Sequence, residues 1–335
     1  MHIFIDESGT FAHTSDAHSI SVVGALIISE GRLFDVERRY TALRGGLPKH
    51  NGEVKGRLLS EAEVDRVVSL LLKNEALFEV SAIDMGVPDE ADIAMHKQGQ
   101  EEGITKHLTD DHHPNIHEGC WDLRRRLEQM PHQLYVQSVT TFELIWRTIS
   151  HATMFFSQRR PEELGAFYWI VDGKDRDRIT DWEDWWSYVV MPALQAKSLR
   201  EPMEMFVEGD YSHFRRFDAV LGEHLKPYAK DPSKNDATDL RKLLTEHFRF
   251  SSEPEPALEM VDILTNATRR AFTGRLGQDG WKNIPRLMIH RPDHYVQVIA
   301  LTQTPPKQRG YPYLPVLRSF SHGGKSMLAP RFLKT

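Results

Sequence analysis

Two apolar runs near the start of the chain indicate the fold: HIFIDESG at residues 2–9 and SISVVGALII at residues 19–28. Both are short, are rich in β-branched and large apolar residues, and are bounded by polar residues or glycine, which is typical of β-strands. The segment between them is short and polar. The sequence therefore predicts a β-hairpin whose first strand ends at Asp6 and Glu7.

Further strands and helices follow along the chain. The run AFYWIV at 166–171 has no polar alternation, which predicts a strand buried on both faces in the middle of a sheet. Two other runs predict strands, at 77–83 and 294–301, and a shorter one lies at 247–250. Apolar residues at steps of three and four predict helices at 34–45, after Ser60, and at 138–156, 182–194 and 256–272. This order predicts an α/β fold, a mixed sheet flanked by helices.

Composition and charge exclude several classes of protein. The 42 basic and 48 acidic residues give a net charge of −6, which excludes a uniformly basic nucleic-acid coat but not a local basic patch. Cys120 is the one cysteine, so no disulfide can form within the chain, as expected of a cytoplasmic protein. The longest apolar runs, such as VVGALII at 22–28, are too short to span a membrane.

Acidic residues follow two of the predicted strands. Asp6 comes after IFI, and Asp172 comes after the buried run AFYWIV. Ligands of α/β sheets bind beyond the carboxyl ends of the strands, where two nearby carboxylates repel unless a divalent cation lies between them. Oxygen ligands without cysteine or histidine favour Mg²⁺ or Mn²⁺. The alternative is that an aspartate before a glycine, as at Asp172, is a turn residue.

The predicted helix at 256–272 carries a third group of polar residues. Glu259, Asp262, Asn266 and Arg269 share one arc of the helix, away from the apolar arc. One interpretation is a solvated helix face. The other is that the arc lies over the strand ends, where Asp262 completes a three-carboxylate site and Arg269 contacts substrate. The pattern alone does not decide between them.

Four segments together resemble the domain-of-unknown-function 3800 family, which is regarded as ribonuclease H-like. They are FIDESG at 4–9, EVKG at 53–56, the strand-end Asp172 and LEMVD at 258–262. The similarity spans about residues 2–270. It departs from the family pattern at Glu259, where glutamine is usual, and at Val261, where alanine is usual, but it keeps Asp262.

The resemblance implies a ribonuclease H-like fold and a metal-dependent nuclease or phosphodiesterase with two Mg²⁺ or Mn²⁺ ions. It implies Asp6, Asp172 and Asp262 as catalytic metal ligands, with Lys55 contacting a phosphate or orienting the attacking water. The candidates for a further metal ligand are Glu7, Glu53 and Glu259. The alternative is a non-catalytic ribonuclease H-like binding module in a defence or mobile-element context.

The same reasoning divides the chain into four parts. Residues 1–90 and 165–304 are the two halves of the ribonuclease H-like domain, and residues 91–164 are a helical insertion that could carry a protein partner. Residues 305–335 form a tail with basic and aromatic residues and no acid. Such a tail is typical either of single-strand nucleic-acid binding or of a segment that packs its aromatic rings on the domain.

A histidine-rich segment at 107–120 is the remaining candidate. It holds four histidines and Cys120, which are ligand types of zinc, but their spacing matches no known zinc finger. A solvated loop is the alternative. The sequence contains no glycine-rich phosphate loop of the Walker or dinucleotide-binding type.

Overall fold

The computed structural model describes residues 1–15, 18–173, 181–220, 222, 226, 230–231, 236–302 and 311–332. The strands are β1 (His2–Ser8), β2 (Ile20–Ile28), β3 (Lys49–His50), β4 (Glu53–Val54), β5 (Leu77–Asp84), β6 (Tyr168–Asp172), β7 (Asp218–Val220), β8 (Asp236–Thr238), β9 (Phe248–Ser251) and β10 (Gln297–Ile299). The helices are α1 (Glu30–Arg44), α2 (Glu61–Lys73), α3 (Glu90–Thr105), α4 (Pro114–Gln129), α5 (His132–Ser157), α6 (Asp181–Trp185), α7 (Met191–Arg200), α8 (Leu240–Thr245), α9 (Pro256–Phe272), α10 (Gln278–Trp281) and α11 (Leu314–Ser319).

A mixed six-stranded sheet organises the protein, with strand order β10-β5-β2-β1-β6-β9. The strand β2 is antiparallel to both of its neighbours, β1 and β5. The pairs β1–β6, β6–β9 and β5–β10 are parallel. The chain is therefore α/β, as the sequence predicts, and the predicted β1–β2 hairpin is confirmed.

Helices cover both faces of this sheet, which explains why its central strands are apolar on both sides. Along β1, Phe4 packs in a core with α1, α2 and α9, whereas Ile3 and Ile5 pack in a second core with α5. We call these two sides the α9 face and the α5 face. The same alternation along β6 places Ile170 on the α9 face and Val171 on the α5 face.

Local sequence signals explain several element boundaries. Ser60 and Glu63 form a reciprocal capping box at the start of α2, as the predicted pattern requires. The helix expected over 182–194 is present as α6, a π-helical segment Trp186–Val190 and α7, which follow one another without a gap. Pro192 in the first turn of α7 has no amide hydrogen to donate to the preceding turn, which is consistent with the wider π-helical turn before it.

The region predicted to be a helical insertion consists of α3, α4 and α5. Its last helix packs against β2 and β5 and supplies much of the α5 face. The described part of the basic, aromatic segment packs on the domain, with Phe320 fully buried against Phe272 and Trp281. Its basic residues Lys307, Arg309 and Lys334 lie outside the described residues. Across the described chain, every helix is too short or too polar to cross a membrane.

Candidate functional site

The two strand-end aspartates lie side by side on the sheet. In the parallel pair β1–β6, Ile5 is opposite Val171, so Asp6 and Asp172 are the next residues on adjacent strands. Phe4 and Ile170 face α9, and side chains alternate along a strand, so both aspartates also face α9. Adjacent strands lie about 4.8 Å apart. The sheet therefore fixes two carboxylates next to each other at its carboxyl edge.

Helix α9 brings the third predicted carboxylate to the same edge. It packs directly on β1 and β2, and Asn266 Nδ2 donates to Ser8 Oγ at 3.3 Å, two residues beyond Asp6. Asp262 lies one helical turn before Asn266, on the same arc of the helix. The interpretation of this arc as a solvated helix face is therefore wrong, because Asn266 and Glu259 are both buried.

A glycine allows the segment after β4 to approach α9. A Cβ on Gly56 would lie 2.8 Å from both Ile263 Cα and Asn266 Cβ, so the close contact requires glycine. Here the Gly56 amide donates to Asp262 Oδ2 at 2.7 Å. The EVKG segment is thus fixed beside the aspartate of α9.

Lys55 supplies positive charge to this cluster. Its Nζ lies 2.6 Å from Glu53 Oε2, and both side chains are partly exposed. Burial alone would lower the pKa of Lys55, but Glu53, together with the charges of Asp262 and Asp172, raises it above its ordinary value. The ammonium is therefore held in its charged form among three carboxylates.

Burial and carboxylate repulsion raise the pKa values of the two aspartates, which favours their neutral forms. Burial raises the pKa of Asp172 to about 6; Lys55 opposes this shift, whereas Asp262 and Glu53 add to it. Burial also raises the pKa of Asp262, against the Gly56 amide and Lys55, which lower it. The two aspartates thus form a partly buried pair for which Lys55 is an incomplete counter-charge.

Glu259 has a different environment from the other acids. Its Oε2 accepts hydrogen bonds from Tyr40 Oη at 3.0 Å and Arg44 Nε at 2.6 Å. Its Oε1 accepts from Arg44 Nη2 at 2.6 Å and from the Val54 amide at 3.0 Å. Both oxygens of this buried carboxylate therefore join α1 and β4 to α9. No pattern in the sequence indicates Tyr40 and Arg44 as partners of Glu259, because they lie 219 and 215 residues away from it in the chain.

The structure separates two other predicted residues from the carboxylate cluster. Glu7 follows Asp6 on β1, so strand alternation places it on the α5 face. Arg269 lies in the last turn of α9, where its Nε donates to the Ile20 carbonyl at 2.9 Å. Burial lowers the pKa of Arg269. The cluster therefore consists of Asp6, Glu53, Lys55, Asp172 and Asp262.

The donor chemistry of this cluster suits a hard divalent cation, but its arrangement does not form a ligand set. In the part of the chain that the structure describes, no group of three or more His, Cys, Asp or Glu side chains is positioned to hold a metal ion. One oxygen of Asp6 accepts the Glu7 amide at 2.7 Å, and one oxygen of Asp262 accepts that of Gly56. The Mg²⁺ or Mn²⁺ site therefore stays a prediction.

The histidine-rich segment forms the α3–α4 connection. His113 caps α4 by accepting the Asn115 amide at 3.2 Å, and His117 Nε2 lies 2.7 Å from the Thr109 carbonyl. The described residues of this connection also contain no group arranged to hold a metal. These histidines thus organise a loop and a helix start.

Comparison of the chain with models of protein families, with curated proteins and with solved structures gave no match. The function of the chain is therefore inferred from its residues and their geometry.

Proposed function

We propose that the chain is a metal-dependent nuclease or phosphodiesterase with a ribonuclease H-like fold, which hydrolyses phosphodiester bonds in nucleic acid. The observation that carries the proposal is the meeting of Asp172, at the end of β6, with Asp262 of α9 and Lys55. Asp6 lies beside Asp172 on the adjacent strand. Acids on separate rigid elements are what this chemistry requires, because the reacting groups must be held in fixed positions.

The topology supports the same proposal. A hairpin leads the sheet, the sheet is mixed, and the acids lie at the carboxyl edge. These are the features that the resemblance to the domain-of-unknown-function 3800 family implies.

The residues of the cluster have distinct roles in the proposed reaction. Divalent cations held by Asp6, Asp172 and Asp262 would supply an activated water and stabilisation of the leaving oxygen. Asp6, Asp172 and Asp262 would provide the negative pocket. Lys55, partly exposed and charged, would pair with a phosphate of the substrate once Glu53 releases it. Glu259 would hold α9 against β4 without contacting the substrate.

The test combines cleavage with a binding measurement that does not depend on activity. The wild-type protein is incubated with labelled single- and double-stranded DNA and RNA in Mg²⁺, Mn²⁺ or EDTA. We expect cleavage only with a divalent cation, and its loss in Asp172→Asn and Asp262→Asn. The control is Asp279→Asn, which should cleave normally, because Asp279 is an exposed residue of α10 and is not part of the cluster. Undiminished cleavage by Asp172→Asn would refute the proposal.

The second candidate is a non-catalytic binding module of the same fold. It is favoured by the finding that the described residues contain no preformed metal-holding group. Thermal unfolding separates the two functions, because a cation that binds only the folded state raises the melting temperature. Stabilisation by Mn²⁺ that Asp172→Asn abolishes supports the nuclease. Nucleic-acid binding without cation-dependent stabilisation or cleavage supports the binding module.

A further inference from the structure

A second polar site lies at the β10 edge of the sheet, away from the strand-end cluster. A cavity of about 350 Å³ opens between α5 and the segment that leads into β10. Small-molecule sites in proteins usually have volumes of about 300–1,000 Å³. Its polar lining is formed by Arg147, His151, Arg291, Asp293, His294 and Gln297, and its apolar lining by Val296, Val298 and Leu317.

A buried carboxylate organises the charged wall of this cavity. Glu79 of β5 is 1% exposed and faces α5, where Arg291 Nη1 donates to its two oxygens at 2.8 and 3.1 Å. His151 Nδ1 lies 3.1 Å from Glu79, and Arg147 Nε lies 4.0 Å from it. Burial would raise the pKa of Glu79, but Arg291, His151 and Arg147 lower it to about 2, so the carboxylate is ionised.

The charges of this wall do not cancel. Glu79 supplies one negative charge against the two guanidinium groups of Arg147 and Arg291. Burial lowers the pKa of His151 more than Glu79 raises it, so the imidazole is neutral. Two further acids act on Arg147 from outside the cavity interior. Asp293 is exposed at the rim, where water screens its charge, and Glu143 is paired with Lys197 at 3.4 Å. The interior of the cavity therefore keeps an excess of one positive charge.

Hydrogen-bond donors are also in excess. Arg147 donates through Nη1 to Gln297 Oε1 at 2.6 Å and through Nη2 to the Tyr295 carbonyl at 3.2 Å. Arg291 donates to the same carbonyl and to Glu79. Among the described residues, the Nε groups of both arginines are buried without an acceptor. A cavity wall with two guanidinium groups and an excess of positive charge is suited to a ligand with several anionic oxygens.

We infer that this cavity binds a small organic phosphate, with the phosphoryl oxygens on Arg147 and Arg291 and the organic body against Val296, Val298 and Leu317. The two guanidinium groups come from different elements and lie close together, since both donate to the Tyr295 carbonyl, and a phosphoryl group has enough oxygens to accept from both. The inference is independent of the proposed nuclease function, because it uses other residues, which lie at the β10 edge of the sheet.

The experiment measures binding by calorimetry and by thermal unfolding. The probes are inorganic phosphate, adenosine 5′-monophosphate and adenosine, each compared with sodium chloride at equal ionic strength. We expect both phosphates to bind and stabilise the wild-type protein, the nucleotide more strongly, and adenosine to have no effect. Stabilisation by adenosine alone, or no stabilisation beyond that of chloride, would overturn the inference.

Variants assign the binding to the cavity. Arg147→Gln should weaken phosphate binding by about tenfold or more, the usual effect of losing a charge-assisted hydrogen bond. Because that variant also disturbs the contact with Glu79, a second one, Val298→Trp, fills the cavity from the sheet edge without changing its charges. It should abolish binding of the nucleotide. Arg318→Gln, at an exposed position next to Leu317 on α11, is the matched control and should bind normally.

A further variant distinguishes this site from the strand-end cluster. Lys55→Gln should leave unchanged the phosphate binding that Val298→Trp removes, because Lys55 does not line the cavity. If Lys55→Gln abolishes phosphate binding and Val298→Trp does not, the anion binds at the strand ends and the cavity inference is wrong. If Arg147 and Arg291 serve only to hold Glu79, phosphate will neither bind nor stabilise the wild-type protein or any variant, and the inference is wrong.

Discussion

Asp172 shows at the scale of one residue how burial and repulsion act together. Its pKa rises from an ordinary 3.8 to about 6, so the folded protein binds a proton more tightly than the unfolded chain does. Between these two values the free energy of unfolding therefore falls as the pH rises. Above pH 6 the ionised carboxylate costs at most about 3 kcal/mol, at about 1.4 kcal/mol per pKa unit.

The first prediction concerns the variant Asp172→Asn in EDTA. We expect this variant to unfold at a higher urea concentration than the wild type at pH 8, because it removes the ionised carboxylate. Its free energy of unfolding should be greater by about 1–3 kcal/mol. At pH 3.5, where the wild-type carboxyl is protonated, the difference should nearly disappear. Urea titrations at the two pH values measure it.

Asp279 provides the control for this prediction. Its side chain is 81% exposed and pairs with Lys282 on the surface, so Asp279→Asn should not be stabilising at pH 8. If Asp172→Asn is no more stable than the wild type at pH 8, then Lys55 fully compensates the charge of the carboxylate pair.

Glu259 illustrates what the sequence predicts about a site and what it does not. The helical arc correctly groups Glu259 with Asp262, since that grouping depends only on a period of 3.6 residues. The function of each acid depends on its partners, however, and Arg44 and Tyr40 come from a helix near the other end of the chain. A helix arc identifies which side chains lie together, but not which donors surround them.

At the scale of elements, the EVKG segment is attached to α9 at both Val54 and Gly56, whose amides donate to Glu259 and Asp262. Gly56 has no Cβ, and its amide therefore reaches Asp262. The second prediction is that Gly56→Ala destabilises the protein by about 1–3 kcal/mol, as added methyl groups do in a packed interior. Because the added carbon pushes Lys55 away from Asp262, the variant should also lose any activity of the cluster. Chemical denaturation and the cleavage assay measure the two effects.

Gly99 is the matched control for Gly56. It lies in the exposed middle of α3, where an added Cβ meets no atom within 4 Å. Gly99→Ala should therefore stabilise the protein by about 0.5–1 kcal/mol through helix propensity. If both substitutions were stabilising, the contact between the turn and α9 would be looser than the distances indicate.

The elements that the sequence predicted share a strong local signal. The strands β1, β2, β5 and β6 are long apolar runs, and α2 and α9 have a capping pattern or a clear apolar arc. The pairs β3–β4 and β7–β8 have strands of two and three residues, too short for any periodicity to appear. The resemblance therefore identifies Glu53 and Lys55, whereas the sequence predicts no hairpin at these positions.

At the scale of the whole molecule, the sheet order is a long-range property. Pairing of β1 with β6 joins residues about 166 positions apart, such as His2 and Tyr168. No local pattern specifies such a partner; the sequence predicts a buried strand at 166–171 but not its neighbour. The adjacency of Asp6 and Asp172 follows from this pairing, which is why the sequence alone left the carboxylate cluster as one of two interpretations.

The unequal burial of the elements predicts unequal local stability. Every residue of β2 is buried between β1 and β5. In contrast, α3 buries only Ile93 and Lys97, and α4 buries only Leu127. Elements with few buried apolar contacts open locally at a lower free energy than the global unfolding of the protein.

The third prediction is therefore that amide hydrogens of α3 and α4 exchange at least about 100-fold faster than those of β2, after correction for intrinsic rates, which corresponds to about 2.7 kcal/mol. Hydrogen–deuterium exchange with mass spectrometry measures the difference under native conditions. Helix α9 is the internal control, because it is also a helix but is buried along most of its length; its amides should exchange as slowly as those of β2. Equal protection of α3 and β2 would mean that the peripheral helices unfold only with the sheet. The cooperative unit would then include the helices around the histidine-rich connection, and their removal would unfold the strand-end cluster as well.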